Sequence, residues 1–466
     1  MQARNTHLLR RAGFGLSAEA YPEVEKKRPE ALYHEIRSAS KKNFQSIQVV
    51  DLSVLNKLTE EGRIKKSFKE RNQYHRQKIR QLSERWLDEM VRSPGQLREK
   101  MALFWHGHFA CRSNNSYHQE RLLQTIRTHA LGNFGDLLRA VSKSAAMLAF
   151  LNNQQNRKKH PNENFAREVM ELFTLGIGHY TEKDIKEAAR AFTGWGFNRD
   201  GDFVFRQRVH DAGEKTVLGV SANLSGDDVL DILLKSPATA EHITRKIYTF
   251  FVNEELNPDH IKALAQNFYK NNYDVLSLMD DIFTSDWFYD SRNIGVLIKS
   301  PVELTTGLRR ILPMHIQNKN AQIQLQRLLG QWLFYPPNVA GWPGGKAWID
   351  SSSLMLRLKV PQLFKDNISI NYKPKQDDDV SMGMQEKRKG PAYQINAEVN
   401  WQAWSKYFEG LTEQDLLSAL SVVLLPQGSS QLDTIKSLPT QAMRDRDMLI
   451  QSYTLALMGL PEYQLC

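Results

Sequence analysis

The sequence predicts a mainly α fold: a multi-helical globular body with a small β-hairpin insertion near residues 197–219. Three observations predict it. Apolar residues recur at helical spacing along most of the chain, as in Leu97, Met101, Phe104 and Trp105. Helix-start signals are frequent, among them Ser93-Pro94-Gly95-Gln96, Thr181 with Asp184, and Ser300-Pro301 ahead of Glu303. Strand character is confined to one region, where Phe203-Val204-Phe205 and the β-branched run Lys215-Thr216-Val217-Leu218-Gly219 predict two short strands.

Hydrophobic residues make up 41% of the 466 and charged residues 24%, so the chain can bury a large core and is not mostly disordered. No apolar run reaches the roughly 18 residues that cross a bilayer, which sets aside a transmembrane segment. The first residues, Met1 to His7, lack the apolar core of a signal peptide. As it stands the sequence reads as cytoplasmic, with an exported or periplasmic protein as the alternative if a leader has been removed. Two cysteines, Cys111 and Cys466, exclude a disulfide framework and a four-thiolate zinc site, and both read as structural.

Residues 1–92 form a basic N-terminal helical region, with 20 Lys/Arg against 12 Asp/Glu, which holds most of the formal charge of +10. Its opening, His7-Leu8-Leu9-Arg10-Arg11-Ala12-Gly13-Phe14-Gly15, reads as a docking segment. The stretch from Arg63 to Met90 carries Leu82, Trp86 and Met90 four residues apart on one face. Its basic side lacks aromatic residues for base stacking beyond Phe68 and Tyr74. It therefore reads as a solvated helical face, with no specific nucleic-acid partner.

Residues 93–365 are the main helical body. A helix is expected to start at Ser93-Pro94 and to end at Gly107 as a left-handed cap, with His106 in its last turn and His108 just beyond. A second helix begins near Asn162, buries Phe165, Val169, Leu172 and Phe173, and sets Glu163, Arg167 and Glu171 four residues apart. A third follows from Thr181 to Gly194. Helical patterning then returns from Asp227 to Leu312. The stretch Tyr335 to Trp348, with three prolines, three glycines and two tryptophans, is a loop pinned to the body. Residues 366–400 read as a flexible linker and 401–466 as a C-terminal helical element.

Several blocks occur together and in order: His7-Leu8-Leu9-Arg10-Arg11-Ala12-Gly13-Phe14-Gly15, Phe104-Trp105-His106-Gly107-His108-Phe109, Pro161-Asn162-Glu163-Asn164-Phe165-Ala166-Arg167-Glu168, Glu171-Leu172-Phe173-Thr174-Leu175-Gly176, Ala191-Phe192-Thr193-Gly194-Trp195, and Pro336-Pro337-Asn338-Val339-Ala340-Gly341-Trp342. In these the chain resembles the bacterial family known as domain of unknown function 1800, over nearly its whole length. The resemblance implies a helical protein of a family that is frequently exported. It also implies a partner, since such proteins are often encoded beside a family similar to alkaline phosphatases and sulfatases. This chain departs from the exported pattern in showing no leader.

The candidate site residues come from four places. Glu168, Glu171 and Arg167 can form an acid/base set, since an arginine between carboxylates holds one ionised while another is protonated; the alternative is an exposed ladder. His106 and His108 are the metal candidates for a divalent ion. Their spacing suits a shared ion only if the segment is extended, because on a helix they point about 200° apart. His210 and Asp211, with Lys215 nearby, can supply an imidazole oriented by a carboxylate, or simply a turn. Trp342, Trp348 and Arg357 can stack a sugar or aromatic ring, or pin the core. Phosphate loops, nucleophile elbows and His-Glu-x-x-His are absent from the sequence. The reading that results is an enzyme, hydrolytic with a divalent metal as the cofactor to test, acting on a polar or carbohydrate-like substrate. The alternative is a non-catalytic scaffold working with the neighbour-encoded phosphatase- or sulfatase-like protein.

Overall fold

Residues at helical spacing become helices wherever a cap satisfies the first turn. In the computed structural model, which describes residues 2–24, 26–60, 65–366, 369–370, 393–394, 396–427, 431–436 and 445–466, Thr181 and Asp184 form a reciprocal capping box at the head of Glu182–Ala191. Ser300 and Glu303 do the same for Pro301–Ile311, with Pro301 at its first position. The expected box at Ser93 does not form. The Ser93 hydroxyl instead accepts from the Gly95 N–H at 3.1 Å, and the Gln96 amide donates to the carbonyls of Met90 and Ser93. The helix therefore starts later, at Gln96, and runs to His108. Gly107 is not its left-handed cap: the Phe109 N–H reaches the Trp105 carbonyl at 2.8 Å, so the ladder continues past the glycine.

Helix Lys65–Arg92 turns Ile79, Leu82, Trp86 and Met90 inward and leaves Arg76 and Arg80 exposed. A buried charge network joins it to its neighbours. Glu99 accepts the Trp86 indole N–H at 3.0 Å and both arms of Arg127, from helix Ser116–His129, at 2.9 and 2.8 Å. The stretch 7–15 begins inside helix Gln2–Arg11, which is held by Arg11 donating to the Phe251 and Phe250 carbonyls and to the Cys466 thiol, and by Arg10 donating to the Val423 carbonyl. Both cysteines are buried and free. One cluster of buried apolar side chains runs from Leu8 to Tyr463 and takes in residues of the 1–92, 93–365 and 401–466 segments.

The strand region holds two antiparallel hairpins. The expected strands do not pair with each other: β1 (Trp195–Phe197) pairs with β2 (Phe203–Phe205), and β3 (Lys215–Val217) pairs with β4 (Val220–Ala222). Leu218 and Gly219, both at positive φ, make the two-residue turn that reverses the chain within what reads as a single strand. Two further short ladders join β5 (Met314–Ile316) to β8 (Ala397–Val399) and β6 (Ser369–Ile370) to β7 (Tyr393–Gln394). Most of the expected linker lies outside the described residues, and its last described part, 397–399, is strand rather than free chain. Among the described residues no helix is long and apolar enough to cross a membrane.

Candidate functional site

Helix Asn164–Met170 does not end in a simple cap. Its last turn widens into a π-helical turn, Glu171–Leu175, in which the hydrogen-bond ladder slips by one residue. The carbonyls of Leu172 and Phe173 consequently face neighbouring helices. His108 Nε2 lies 3.3 Å from the Phe173 oxygen, while His242 Nε2 and Lys246 Nζ lie 3.3 and 3.4 Å from the Leu172 oxygen. His242 and Lys246 stand one turn apart on helix Pro237–Phe251. A carbonyl only accepts, so His108 carries its proton on Nε2, and its Nδ1 lone pair takes a hydrogen from Lys246 Nζ at 3.3 Å.

This cluster opens into a cleft of about 490 Å³, within the range of small-molecule sites. Its aromatic lining is Phe104 and Phe250 from the body and Trp342 and Trp348 from the loop 336–348. Arg11, Arg245, His242 and Lys246 line the cleft along with the carboxylates of Glu254 and Glu303. Burial pushes Lys246 down to about 8 and His242 to about 4, and holds His108 well below the ordinary histidine range, with the charge of Lys246 adding to both histidine shifts. Burial opposes ionisation of Glu303, but the Lys100 ammonium beside it wins and keeps it below the usual carboxylate range. The loop seats closely: Gly341 has φ +87, and a Cβ there would stand 2.5 Å from the Gly107 carbonyl oxygen. That contact brings Trp342 against the His106 ring, centroids 5.3 Å apart.

Of the sequence-predicted site residues, the cleft brings together His108, Trp342 and Trp348. His106 leaves the helix on another side, where its Nε2 accepts the Phe334 N–H at 3.1 Å among Trp86 and Phe334 rings. Because the helix continues through His108, the two imidazoles engage different partners and do not fit one shared ion. Among the described residues no group of three or more His, Cys, Asp or Glu side chains is arranged to hold a metal.

The acidic face is not a cleft lining either. Arg167 closes its fork on Glu182 at 2.8 and 2.7 Å and reaches Glu163 at 3.4 Å, rather than sitting between Glu168 and Glu171. Glu171 accepts from the Tyr180 hydroxyl. Burial, then repulsion by Glu171, raises Glu168. His210 Nδ1 lies 2.8 Å from the Thr193 carbonyl, whereas the Asp211 carboxylate is taken by Arg190 at 2.7 Å, so the pair forms no dyad. Lys215 is buried against the Gly213 carbonyl and the Asn223 amide. Arg357 is a buried clamp on Gln464 and the Lys299 carbonyl.

Sequence reasoning missed Lys246 and His242. Their helix shows a clear apolar stripe in Ile243, Ile247 and Phe251, and the one available signal was the interval His242, Lys246, Phe250 at four-residue spacing beside it.

A family model described as "Protein of unknown function (DUF1800)" matches residues 7–465. No curated protein and no solved structure matches the chain.

Proposed function

Since the chain belongs to the family described as protein of unknown function (DUF1800), which carries no reaction over to it, we propose from the cleft itself that the protein is an enzyme. Its substrate is a small anionic molecule with a flat or sugar-like portion. One observation carries this reading: the Lys246 amine, hydrogen-bonded to the neutral His108 ring, faces a cleft walled by Trp342 and Trp348. An amine brought near pH 8 by its surroundings is available as a base or a nucleophile at neutral pH, which an ordinary lysine is not. Arg11 and Arg245 are offset by Glu254 and Glu303, which leaves Lys246, in its protonated form, to favour an anion, and the indole faces suit the rim of a sugar or an aromatic ring. The metal-assisted hydrolytic form of the reading is not carried forward, because His106 and His108 do not converge.

Titration of the intrinsic tryptophan fluorescence with glucose 6-phosphate and glucuronate tests this. Saturable quenching is expected, reduced in Trp342→Phe and weakened in Lys246→Met. Quenching that neither variant alters would remove the cleft from consideration. Binding without turnover of any bound ligand would favour the scaffold alternative, with the neighbour-encoded protein as its partner.

A further inference from the structure

Resting on that reading of the cleft, we propose that Lys246 is an imine-forming amine, and that the substrate is a small aldehyde or ketone carrying an anionic group. The geometry around Nζ is the basis. It has two acceptors, His108 Nδ1 at 3.3 Å and the Leu172 carbonyl at 3.4 Å. These can take the two hydrogens of a neutral amine, which leaves the lone pair unengaged on a side chain that lines the cleft. No carboxylate among the described residues lies within ion-pair distance of Lys246 to hold it as an ammonium.

The other buried lysines differ in ways that matter. Lys100 has three acceptors, the carbonyls of Arg10 and Gly13 and the Glu303 carboxylate, which fill all three positions of an ammonium. Lys215 has two, and its side chain is buried with the amine closed on Gly213 and Asn223. Lys299 donates to the Tyr463 carbonyl and faces a space of about 30 Å³, enough for a water and not for an organic carbonyl. Lys246 alone among these four opens onto a cleft of organic-substrate size.

The step balances without any added oxidant or reductant. The Nζ lone pair bonds to the carbonyl carbon as the C=O π pair moves to oxygen. One N–H proton then passes to that oxygen, giving a carbinolamine. The second N–H proton leaves with the hydroxyl as water, and the C=N bond forms. A proton taken up from solvent gives the protonated imine, whose single N–H keeps the bond to His108 Nδ1. A cation there draws electrons from the adjacent carbon, so the reaction class is proton removal or carbon–carbon cleavage next to the carbonyl.

The probe is pyridoxal 5′-phosphate, an aldehyde bearing a phosphate. The full chain is incubated with it, the imine is reduced with sodium borohydride, and the adducts are mapped by mass spectrometry after digestion. One dominant adduct at Lys246 is expected, forming faster as pH rises through about 8 and slowed by pyridoxine 5′-phosphate, which lacks the carbonyl. Lys246→Met should lose that adduct while keeping the same circular dichroism. Adducts spread over exposed lysines, with Lys246 modified no more than they are, would overturn the proposal, and this result needs no variant. If the probe quenches tryptophan fluorescence saturably but leaves Lys246 unmodified after reduction, the imine chemistry fails and the cleft reading stands. If neither occurs, both fail.

Discussion

Lys246 Nζ lies 3.3 Å from His108 Nδ1, and the opposite nitrogen of that ring faces the Phe173 carbonyl. The two residues come from helices 138 positions apart in sequence, and what joins them is the π-helical turn that offers its carbonyls to both. Each polar atom here is satisfied in its neutral form, and this sets the sign of the first prediction.

The folded protein holds Lys246 near 8 against an ordinary value of 10.5. Between those values the unfolded chain binds a proton that the native state does not, so stability rises with pH across that window. Below about 8 the cost of burying the charge is present in full. Lys246→Met removes this dependence and adds only a pH-independent loss of two hydrogen bonds. The melting temperature of the variant minus that of the parent should therefore fall steadily from about pH 8 to 10.5. A difference that stays flat over that range would show that Lys246 titrates normally.

His106 is expected to be structural. Its Nε2 accepts the N–H of Phe334, a residue at φ +68, in a conformation that side chains other than glycine rarely adopt. His106→Ala strands that N–H and removes the ring under Trp342, so a loss of about 1–3 kcal/mol is expected by denaturant titration. The tryptophan near-UV signal should change with it. An unchanged midpoint would mean that Phe334 holds its turn without help.

The Glu99–Arg127 pair, with the Trp86 indole on the same carboxylate, should be among the most sensitive points of the body. Arg127→Met leaves the buried Glu99 carboxylate with Arg98, at 3.3 Å, as its remaining cation, so a loss of about 1–3 kcal/mol is expected. The double variant Glu99→Met with Arg127→Met should lose less than Arg127→Met does, since the under-compensated carboxylate is then gone and Arg98 keeps the Ser40 and Lys42 carbonyls. Additive losses would show that the charges act independently.

Gly176 closes the π-helical turn with φ +80 and ψ 167, a region open essentially to glycine, and a Cβ there would stand 2.7 Å from His242 Nδ1. Gly176→Ala should cost about 1–3 kcal/mol and weaken ligand quenching in the cleft, because His242 must move. Full stability with full binding would show that the turn relaxes freely.

How much of this was legible depends on which kind of signal a residue emits. Thr181 with Asp184 and Ser300 with Glu303 announce their helices because a reciprocal cap needs two residue types at one interval. Ser93 with Gln96 has the same interval and fails, because Gln96 finds better acceptors in the Met90 and Ser93 carbonyls. The mainly α fold was readable from apolar spacing, and the splitting of the strand region into two hairpins was not, since Leu218 is an unusual turn residue. His108, Trp342 and Trp348 stood out by type. Lys246 did not, since a single lysine beside an apolar stripe looks like any solvated edge. The π-helical turn left no trace either: a ladder slipping by one residue changes which carbonyls are free, not which residues are present. The carboxylates of Glu168 and Glu171 stand out by type, whereas what that helix contributes to the cluster is the Leu172 and Phe173 carbonyl oxygens.

Glu168 supplies a test of that difference. Burial first, and then the nearby Glu171 carboxylate, raise it above its ordinary 4.5. The native state thus keeps a proton that the unfolded chain has released. The resulting penalty appears as pH rises past 4.5 and grows until the raised value is passed, so it is present at neutral pH. Glu168→Gln should therefore stabilise the protein at pH 7 and give no such gain below about pH 4. Stabilisation alone would also be expected of a carboxylate held for function at a cost to folding, so the deciding measurement is ligand quenching in the same variant. Glu168 is not a lining residue of the cleft, and quenching should be unchanged. Glu171→Gln provides the contrast, since it weakens the acceptor of the Tyr180 hydroxyl and should lower stability by about 1 kcal/mol with binding again intact. Loss of quenching in either variant would return the acidic face to the site.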